Sequence, residues 1–231
     1  MKKYISLVFG LMFASQATLV LAAGGKGHVW GQMIPERAEA IRLGGDPVRG
    51  EEAFRGCRGC HKSDAAGLKD GTYPRLTGQH ASVLVKQMTE IRAGIRHNPK
   101  MLPFVEDPAI SVQEIADIAA YLSKLESTRE NGKGAEDQSA RGKKLFTDHK
   151  CYTCHGVNGE GNAEKAYPAV AAQHYEYLLR EMKFIEKGTR GNAHPDMVKA
   201  IAKFSQEDRE AVADYLSRLP DFRTVAATAS K

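Results

Sequence analysis

Two short cysteine–histidine motifs carry the most specific chemistry in this sequence. Both have the form C-x-x-C-H, and together they comprise Cys57, Cys60, His61, Cys151, Cys154 and His155. Cysteines three apart lie on one face of a helical turn, so both sulfurs of a motif can form thioether bonds along one haem edge. The adjacent histidine then reaches the iron. The sequence therefore predicts two covalently bound haem c groups, with the two histidines as iron ligands.

Four cysteines also allow other chemistry. Two disulfides are one alternative, and a single zinc site built from both cysteine pairs is another. A zinc site of that kind ordinarily has pairs closer together in the chain. All four cysteines of the chain fall within the two motifs, and haem attachment is the interpretation that accounts for the adjacent histidines.

Each motif is followed by two methionines that could supply a second iron ligand. Met88 and Met182 fall on apolar helical stripes, where methionine usually fills the core. Met101 and Met197 each follow a proline by two residues, and proline stiffens a loop. We predict that these two are the distal metal ligands. A thioether ligand raises the reduction potential and closes the iron to exogenous ligands, which favours electron transfer over catalysis.

Two further features recur in both copies. His80 and His174 could make bis-histidine sites, but each follows a glutamine where a helix is predicted to begin, and a polar helix-start residue is the favoured interpretation. Pro74 and Pro168 each lie thirteen residues after a haem histidine. A carbonyl there could accept the proximal imidazole proton and fix the ring, although a simple turn proline is the alternative.

The two motifs belong to a longer internal repeat. Superposing the halves with an offset of 94 aligns the following pairs: Tyr73 with Tyr167, Gln79 with Gln173, His80 with His174, Arg96 with Arg190 and Tyr121 with Tyr215. Two copies of one domain explain this register. The polar segment between them has the composition of a solvent-exposed linker.

Helical patterns fill both copies, and no strand pattern competes. Asp46-Pro47 starts the first helix, an apolar stripe follows His80, and Ser111 and Ser205 open capping boxes for the last helices. Each domain has only about 80 residues, so a buried haem would supply much of its interior. The predicted fold class is all-α.

The N-terminus has the features of a secretory signal. Lys2 and Lys3 precede an apolar run that ends in small residues near Ala22. We expect cleavage after residue 22 or 23, giving an exported, soluble protein. The predicted organisation is 1–22 signal peptide, 23–45 N-terminal extension, 46–125 first domain, 126–138 linker, 139–220 second domain and 221–231 C-terminal tail.

The charge balance excludes one class of partner. The chain has 231 residues, of which 42% are hydrophobic and 26% charged, and a net charge of +5. This excess is too small and too dispersed for a nucleic-acid-binding protein.

Over about residues 45 to 220, the sequence resembles the dihaem cytochrome c4 family. The resemblance implies two tandem class I cytochrome c domains, each wrapped around one covalently attached haem, with the haems facing each other across the domain interface. The family's haem ligands carry over to the cysteines and histidines of both motifs and to Met101 and Met197. Its crossing of the first and last helices carries over to Gly50, Phe54 and Tyr121, and to Gly142, Phe146 and Tyr215.

The resemblance also implies a periplasmic electron carrier rather than an enzyme. The expected partners are redox proteins: a quinol-oxidising complex or dehydrogenase as donor, and a membrane oxidase or reductase as acceptor. Neither nucleic acid nor a small-molecule substrate is expected, and peripheral membrane association is left open. The alternatives are an electron-transfer subunit of a periplasmic dehydrogenase, or a dihaem enzyme such as a peroxidase or thiosulfate dehydrogenase, which would need an open iron.

The second copy departs from the family in one loop. Thr77-Gly78 of the first copy is replaced by Ala171-Ala172. We expect the backbone to differ where the glycine is missing. The methionine segment is also two residues longer in the second copy, which makes unequal haem potentials an expectation.

Overall fold

The computed structural model describes residues 31–126, 130–221 and 223, so the predicted signal peptide lies outside the described residues. Apart from an isolated bridge between Asn162 and Tyr167, these ranges form helices and turns, as predicted for an all-α protein. None of these helices has the length and apolarity needed to cross a membrane. They are α1 (Pro35–Leu43), α2 (Pro47–Ala53), α3 (Arg58–His61), α4 (Ala81–Arg92), α5 (Leu102–Val105), α6 (Val112–Lys124), α7 (Ser139–Asp148), α8 (Tyr152–His155), α9 (Tyr175–Glu186), α10 (Pro195–Ile201) and α11 (Gln206–Arg218), with a 3₁₀ turn at Phe54–Cys57.

Part of the N-terminal extension packs on the first domain. Helix α1 contacts α4 and α6, and its Ala40 is buried in the first domain's core. Near the start of α1, the carboxylate of Glu36 lies 3.2 Å from the guanidinium of Arg92 on α4. Helix α1 is therefore packed against the first domain.

The first and last helices of the first domain cross at a glycine, as the resemblance implies. A Cβ on Gly50 of α2 would overlap the carbonyl oxygen of Asp117 on α6, so the backbones approach more closely than a side chain permits. The rings of Phe54 and Tyr121 pack near this crossing, with centroids 5.8 Å apart.

The second domain repeats this crossing between α7 and α11. A Cβ on Gly142 would overlap the carbonyl oxygen of Ala211. The rings of Phe146 and Tyr215 have centroids 5.6 Å apart. The repeat in sequence is therefore a repeat in packing.

The predicted capping boxes are confirmed at the starts of both last helices. The Ser111 hydroxyl accepts from the Glu114 amide at 3.2 Å, and the Glu114 carboxylate accepts from the Ser111 amide at 2.7 Å. Ser205 and Asp208 make the same exchange at 3.2 and 3.1 Å. Each box satisfies two amides that the helix itself leaves unpaired.

The Gly78 loop and its counterpart have the same backbone form, contrary to the expectation from sequence. Gly78 has φ of +72° and Ala172 has φ of +55°, so the alanine accepts the left-handed conformation. The amides of both residues bind the last helix of their domain, at Leu122 O and Leu216 O. These bonds offset part of the strain that a Cβ causes at positive φ.

The domains meet through a reciprocal exchange of hydrogen bonds. The side-chain amide of Gln173 donates to the carbonyl of Arg75 and accepts from its backbone N–H, both at 2.9 Å. Gln79 makes the same exchange with Ala169, at 2.9 and 3.0 Å. Because each residue pair matches in the repeat, an approximate two-fold rotation relates the domains at this interface.

Two residues of the linker, Asn131 and Gly132, are partly buried against the domains, whereas most of its other described residues are exposed, as its composition predicts. The Asn131 side-chain amide donates to the carbonyls of Gln173 and Ser217, at 2.9 and 2.7 Å. A Cβ on Gly132 would overlap the carbonyl of Lys69 in the first domain. The linker therefore contacts both domains.

Candidate haem-binding sites

The first cysteine motif lies on a tight helical turn. Cys57 ends the 3₁₀ turn that follows α2, and Cys60 and His61 belong to α3. Neither cysteine forms a disulfide bond, and both are partly buried. Two thiols within one turn, with the imidazole beside them, fit covalent attachment of a haem edge.

The second motif has the same local geometry. The amide of His155 donates to the carbonyl of Cys151 at 3.0 Å, which closes a helical turn around Cys154. Within the described ranges, no three His, Cys, Asp or Glu side chains converge to hold a metal ion, and the zinc alternative has no site there.

Both proximal histidines are oriented by the predicted carbonyls. The Nδ1 of His155 lies 3.0 Å from the carbonyl of Pro168, and the Nδ1 of His61 lies 3.4 Å from that of Pro74. A carbonyl can only accept, so each Nδ1 carries the hydrogen and Nε2 keeps its lone pair. Burial lowers the pKa of both histidines. A neutral ring with a free Nε2 is the form that binds iron.

The methionines separate into the two predicted groups. Met88 and Met182 are 6% and 5% exposed within the two cores, as predicted for packing residues. Met101 and Met197 are partly buried and lie against the edges of the same cores. Ligation of iron by Met101 and Met197 stays a prediction.

The backbone around the second of these methionines differs from the expected loop. Met101 caps the short helix α5, whereas Met197 lies within the first turn of α10, which begins at Pro195. Proline is favoured in a first helical turn because its missing N–H needs no partner there. The proline therefore starts a helix in the second copy.

The two repeated histidines bind the opposite domain. The Nε2 of His80 lies 2.7 Å from the carbonyl of Glu160, and the Nε2 of His174 lies 2.7 Å from that of Ala66. The Nδ1 of His174 also accepts from the amide of Gly132 at 3.0 Å. His174 has no free nitrogen for iron, which argues against bis-histidine ligation. Both histidines precede a helix as predicted, but their interdomain role was missed.

Charged side chains buried at the interface were also missed. The carboxylate of Glu181 accepts from Arg190 at 2.6 Å within its own domain and from Arg96 of the first domain at 3.1 Å. Glu90 accepts from Asn192 of the second domain at 2.7 Å. The sequence signal that could have revealed these contacts was the match of Arg96 with Arg190 in the repeat. Each arginine lies two residues after the glycine that follows α4 or α9.

Comparison with known proteins agrees with this geometry. A family model described as Cytochrome c matches residues 47–126 and 139–220. Cytochrome c4 of Azotobacter vinelandii is 30% identical over 76% of this chain and 90% of its own length. The crystal structure of reduced cytochrome c4 from Pseudomonas stutzeri superposes with a TM-score of 0.65 at 29% identity, covering 76% of this chain and all of that one.

The chain belongs to the dihaem cytochrome c4 family. It carries two covalently bound haem c groups, attached at the cysteine pairs of residues 57/60 and 151/154. A further relative is the thiosulfate dehydrogenase electron acceptor of Stutzerimonas stutzeri, 32% identical over 72% of this chain and 80% of that protein.

Proposed function

We propose that this dihaem cytochrome is a periplasmic electron carrier and not an enzyme. It would accept electrons from a respiratory or dehydrogenase donor and deliver them to a terminal oxidase or reductase. This proposal rests on one observation: reciprocal contacts of Gln79 and Gln173 join the two domains that carry the haem-attachment sites. A fixed pair of sites suits electron transfer because little of the protein has to move when an electron arrives.

Each bound haem supplies reversible one-electron chemistry at its iron. The protein holds the imidazoles of His61 and His155 through their Nδ1–H groups, so that Nε2 points away from the proline carbonyls. Met101 and Met197 are our proposed second ligands. Iron bound by both a histidine and a methionine would have no position left for water or substrates.

Reduction potentials test these ligands. Met101→His should lower the potential of the first haem and Met197→His that of the second, because a thioether favours the reduced state more than an imidazole does. Met88→Leu is the matched control, since it conserves volume in the buried core and should leave both potentials unchanged. Spectroelectrochemical titration measures all three variants. An unchanged potential in a histidine variant would show that another residue is the ligand.

Ligand binding to the reduced protein separates a carrier from an enzyme. A dihaem peroxidase or thiosulfate dehydrogenase needs an open or exchangeable iron. Carbon monoxide should therefore leave the spectrum of the native reduced protein unchanged near neutral pH. A spectral change at one haem would support the enzyme hypothesis instead.

A second candidate is the electron acceptor of a periplasmic dehydrogenase. The relative from Stutzerimonas stutzeri, described as the electron acceptor of thiosulfate dehydrogenase, favours this candidate. The same haem sites would serve either role, and the difference would lie in the partner. Copurification from native membranes and periplasm distinguishes them: a dehydrogenase bound in fixed ratio supports the second candidate, and an oxidase supports the first.

The periplasmic location rests on the N-terminal residues. Lys2, Lys3 and the following apolar run have the pattern of a cleaved signal. N-terminal sequencing of the mature protein should begin at residue 23 or 24, and the protein should appear in the periplasmic fraction. Retention of Met1 would contradict the proposal.

A further inference from the structure

His174 joins three parts of the molecule at the domain interface. It immediately precedes α9 of the second domain, and its Nε2 lies 2.7 Å from the carbonyl of Ala66 in the first domain. Its Nδ1 lies 3.0 Å from the backbone nitrogen of Gly132 in the linker. The side chain is 1% exposed, so water does not substitute for either contact.

These contacts define the protonation state of the ring. The Ala66 carbonyl can only accept a hydrogen bond, so Nε2 must donate. The Gly132 amide can only donate, so Nδ1 must accept. Only the neutral ring with its hydrogen on Nε2 satisfies both. In the imidazolium form Nδ1–H would face the Gly132 N–H, and the linker contact would be lost.

We propose that His174 is a proton-operated clamp, in which the neutral ring holds the linker on the domain interface and protonation releases it. Gly132 is the part that responds, because its contact requires the Nδ1 lone pair. The Ala66 contact survives protonation, since Nε2 donates in both forms. The proposal concerns domain docking and is independent of the haem ligands.

Charged groups around His174 come mainly from the first domain. Lys69 and Arg75 disfavour a proton on the ring, and Asp70 favours one. Arg75 is itself paired with Asp221, whose carboxylate lies 2.6 Å away. Burial is the largest influence and lowers the pKa of His174.

The other elements add little charge. On the linker Lys133 is exposed, and at the start of α9 Glu176 is exposed. On α11, Asp214 is paired with Arg218 at 2.8 Å. The balance of charge and burial therefore keeps the docked ring neutral at neutral pH.

The direction of the pH effect follows from the two states of the ring. A released, solvated histidine titrates near pH 6.5, and the docked ring has a lower pKa. Docking is therefore fully favoured above about pH 6.5. Below that, the ratio of docked to released linker falls by up to about tenfold per pH unit, until the docked ring itself takes a proton.

Amide exchange in the reduced, ¹⁵N-labelled holoprotein tests the clamp. The protection factor of the Gly132 amide should be constant from pH 8 to 7 and should fall by up to about tenfold per unit below pH 6.5. Through this fall the imidazole ¹⁵N shifts of His174 should still show the neutral Nε2–H tautomer, because the docked form predominates, and the imidazolium should appear only at lower pH, when the linker is mostly released. Constant protection down to pH 5, or an imidazolium spectrum of His174 while Gly132 stays fully protected, would overturn the proposal.

Three variants separate a clamp from a merely structural contact. His174→Gln keeps a donor for Ala66 but cannot titrate, so the pH dependence at Gly132 should disappear. His174→Asn places an acceptor near the position of Nδ1 and should restore protection at Gly132 across the pH range. His80→Gln is the matched control, because His80 occupies the same position in the repeat and binds Glu160. The proposal fails if His174→Gln keeps the wild-type pH profile or if His80→Gln removes it.

Discussion

A single added methyl group at Gly50 should destabilise the first domain. The Cβ of Gly50→Ala would overlap the carbonyl oxygen of Asp117 and lie 2.8 Å from the Cβ of Tyr121. Neither atom belongs to a flexible side-chain end, so α2 and α6 must move apart. The crossing also carries the contact between Phe54 and Tyr121, which would loosen as the helices separate.

Two opposing effects set the magnitude. Forcing a methyl group into a close-packed contact costs about 1–3 kcal/mol. Alanine in a helix gains up to about 1 kcal/mol over glycine. Because the added Cβ would lie only 2.0 Å from a backbone oxygen, the cost should fall in the upper part of this range, and the net loss of unfolding free energy should be about 1–2 kcal/mol. Gly142→Ala should give a similar loss in the second domain, because its Cβ meets the carbonyl of Ala211.

Urea unfolding of the holoprotein, followed by circular dichroism, measures this loss. Gly56→Ala is the matched control: Gly56 lies six residues further along the chain, and a Cβ there meets no atom within 4 Å. Its stability should change by less than about 0.5 kcal/mol. Equal stability of Gly50→Ala and Gly56→Ala would refute the argument that backbone contact defines the crossing.

Three further predictions concern strain, acid stability and domain docking. Ala172→Gly should raise the unfolding free energy by about 0.5–1 kcal/mol in urea titrations, because it relieves a side chain at φ +55°. Burial raises the pKa of Asp117, but hydrogen bonds led by the one from Arg49 outweigh burial and hold this pKa below its usual range. The ionised Asp117 carboxylate therefore stabilises the folded protein, and this stabilisation is lost as the pH falls below about 4. Asp117→Asn should flatten that acid decline in urea midpoints. Gln173→Ala and Gln79→Ala should each cost about 1–3 kcal/mol of docking free energy and lower the urea midpoint of the intact chain equally; unequal losses would contradict the two-fold interface.

The sequence predicted what depends on local pattern. The repeat defined two equivalent copies, and the capping residues Ser111 and Ser205 start the last helices where expected. The spacing from the haem histidines to Pro74 and Pro168 predicted the carbonyl contacts. The capping boxes and the proline carbonyl contacts each lie within one domain and span few residues, so residue type and spacing suffice to predict them.

The relative placement of the domains could not be predicted in this way. A repeat shows that His80 and His174 are equivalent, but it does not show which surfaces face each other. The polar composition of the linker did not show that part of it contacts the domains, because composition does not record partners. In the folded chain, the Asn131 amide donates to carbonyls of the second domain.

The repeat also conceals changes of register. Asp117 accepts from the amide of Asp46 at 2.7 Å, and Asp214 accepts from the amide of Gln138 at 2.8 Å. The two aspartates anchor the first helices of their domains in the same way. The repeat nevertheless matches Asp117 with Ala211, so the acceptor has moved by one turn of α11.

The proposed electron-carrier function depends on the binding of each iron by one histidine and one methionine sulfur. Near-infrared absorption of the fully oxidised native protein measures this ligation, because ferric haem with a methionine ligand has a characteristic sulfur-to-iron charge-transfer band. We expect an intensity corresponding to two such haems per chain, halved in Met101→His and in Met197→His. A native intensity corresponding to one haem or none would show that methionine does not bind both irons.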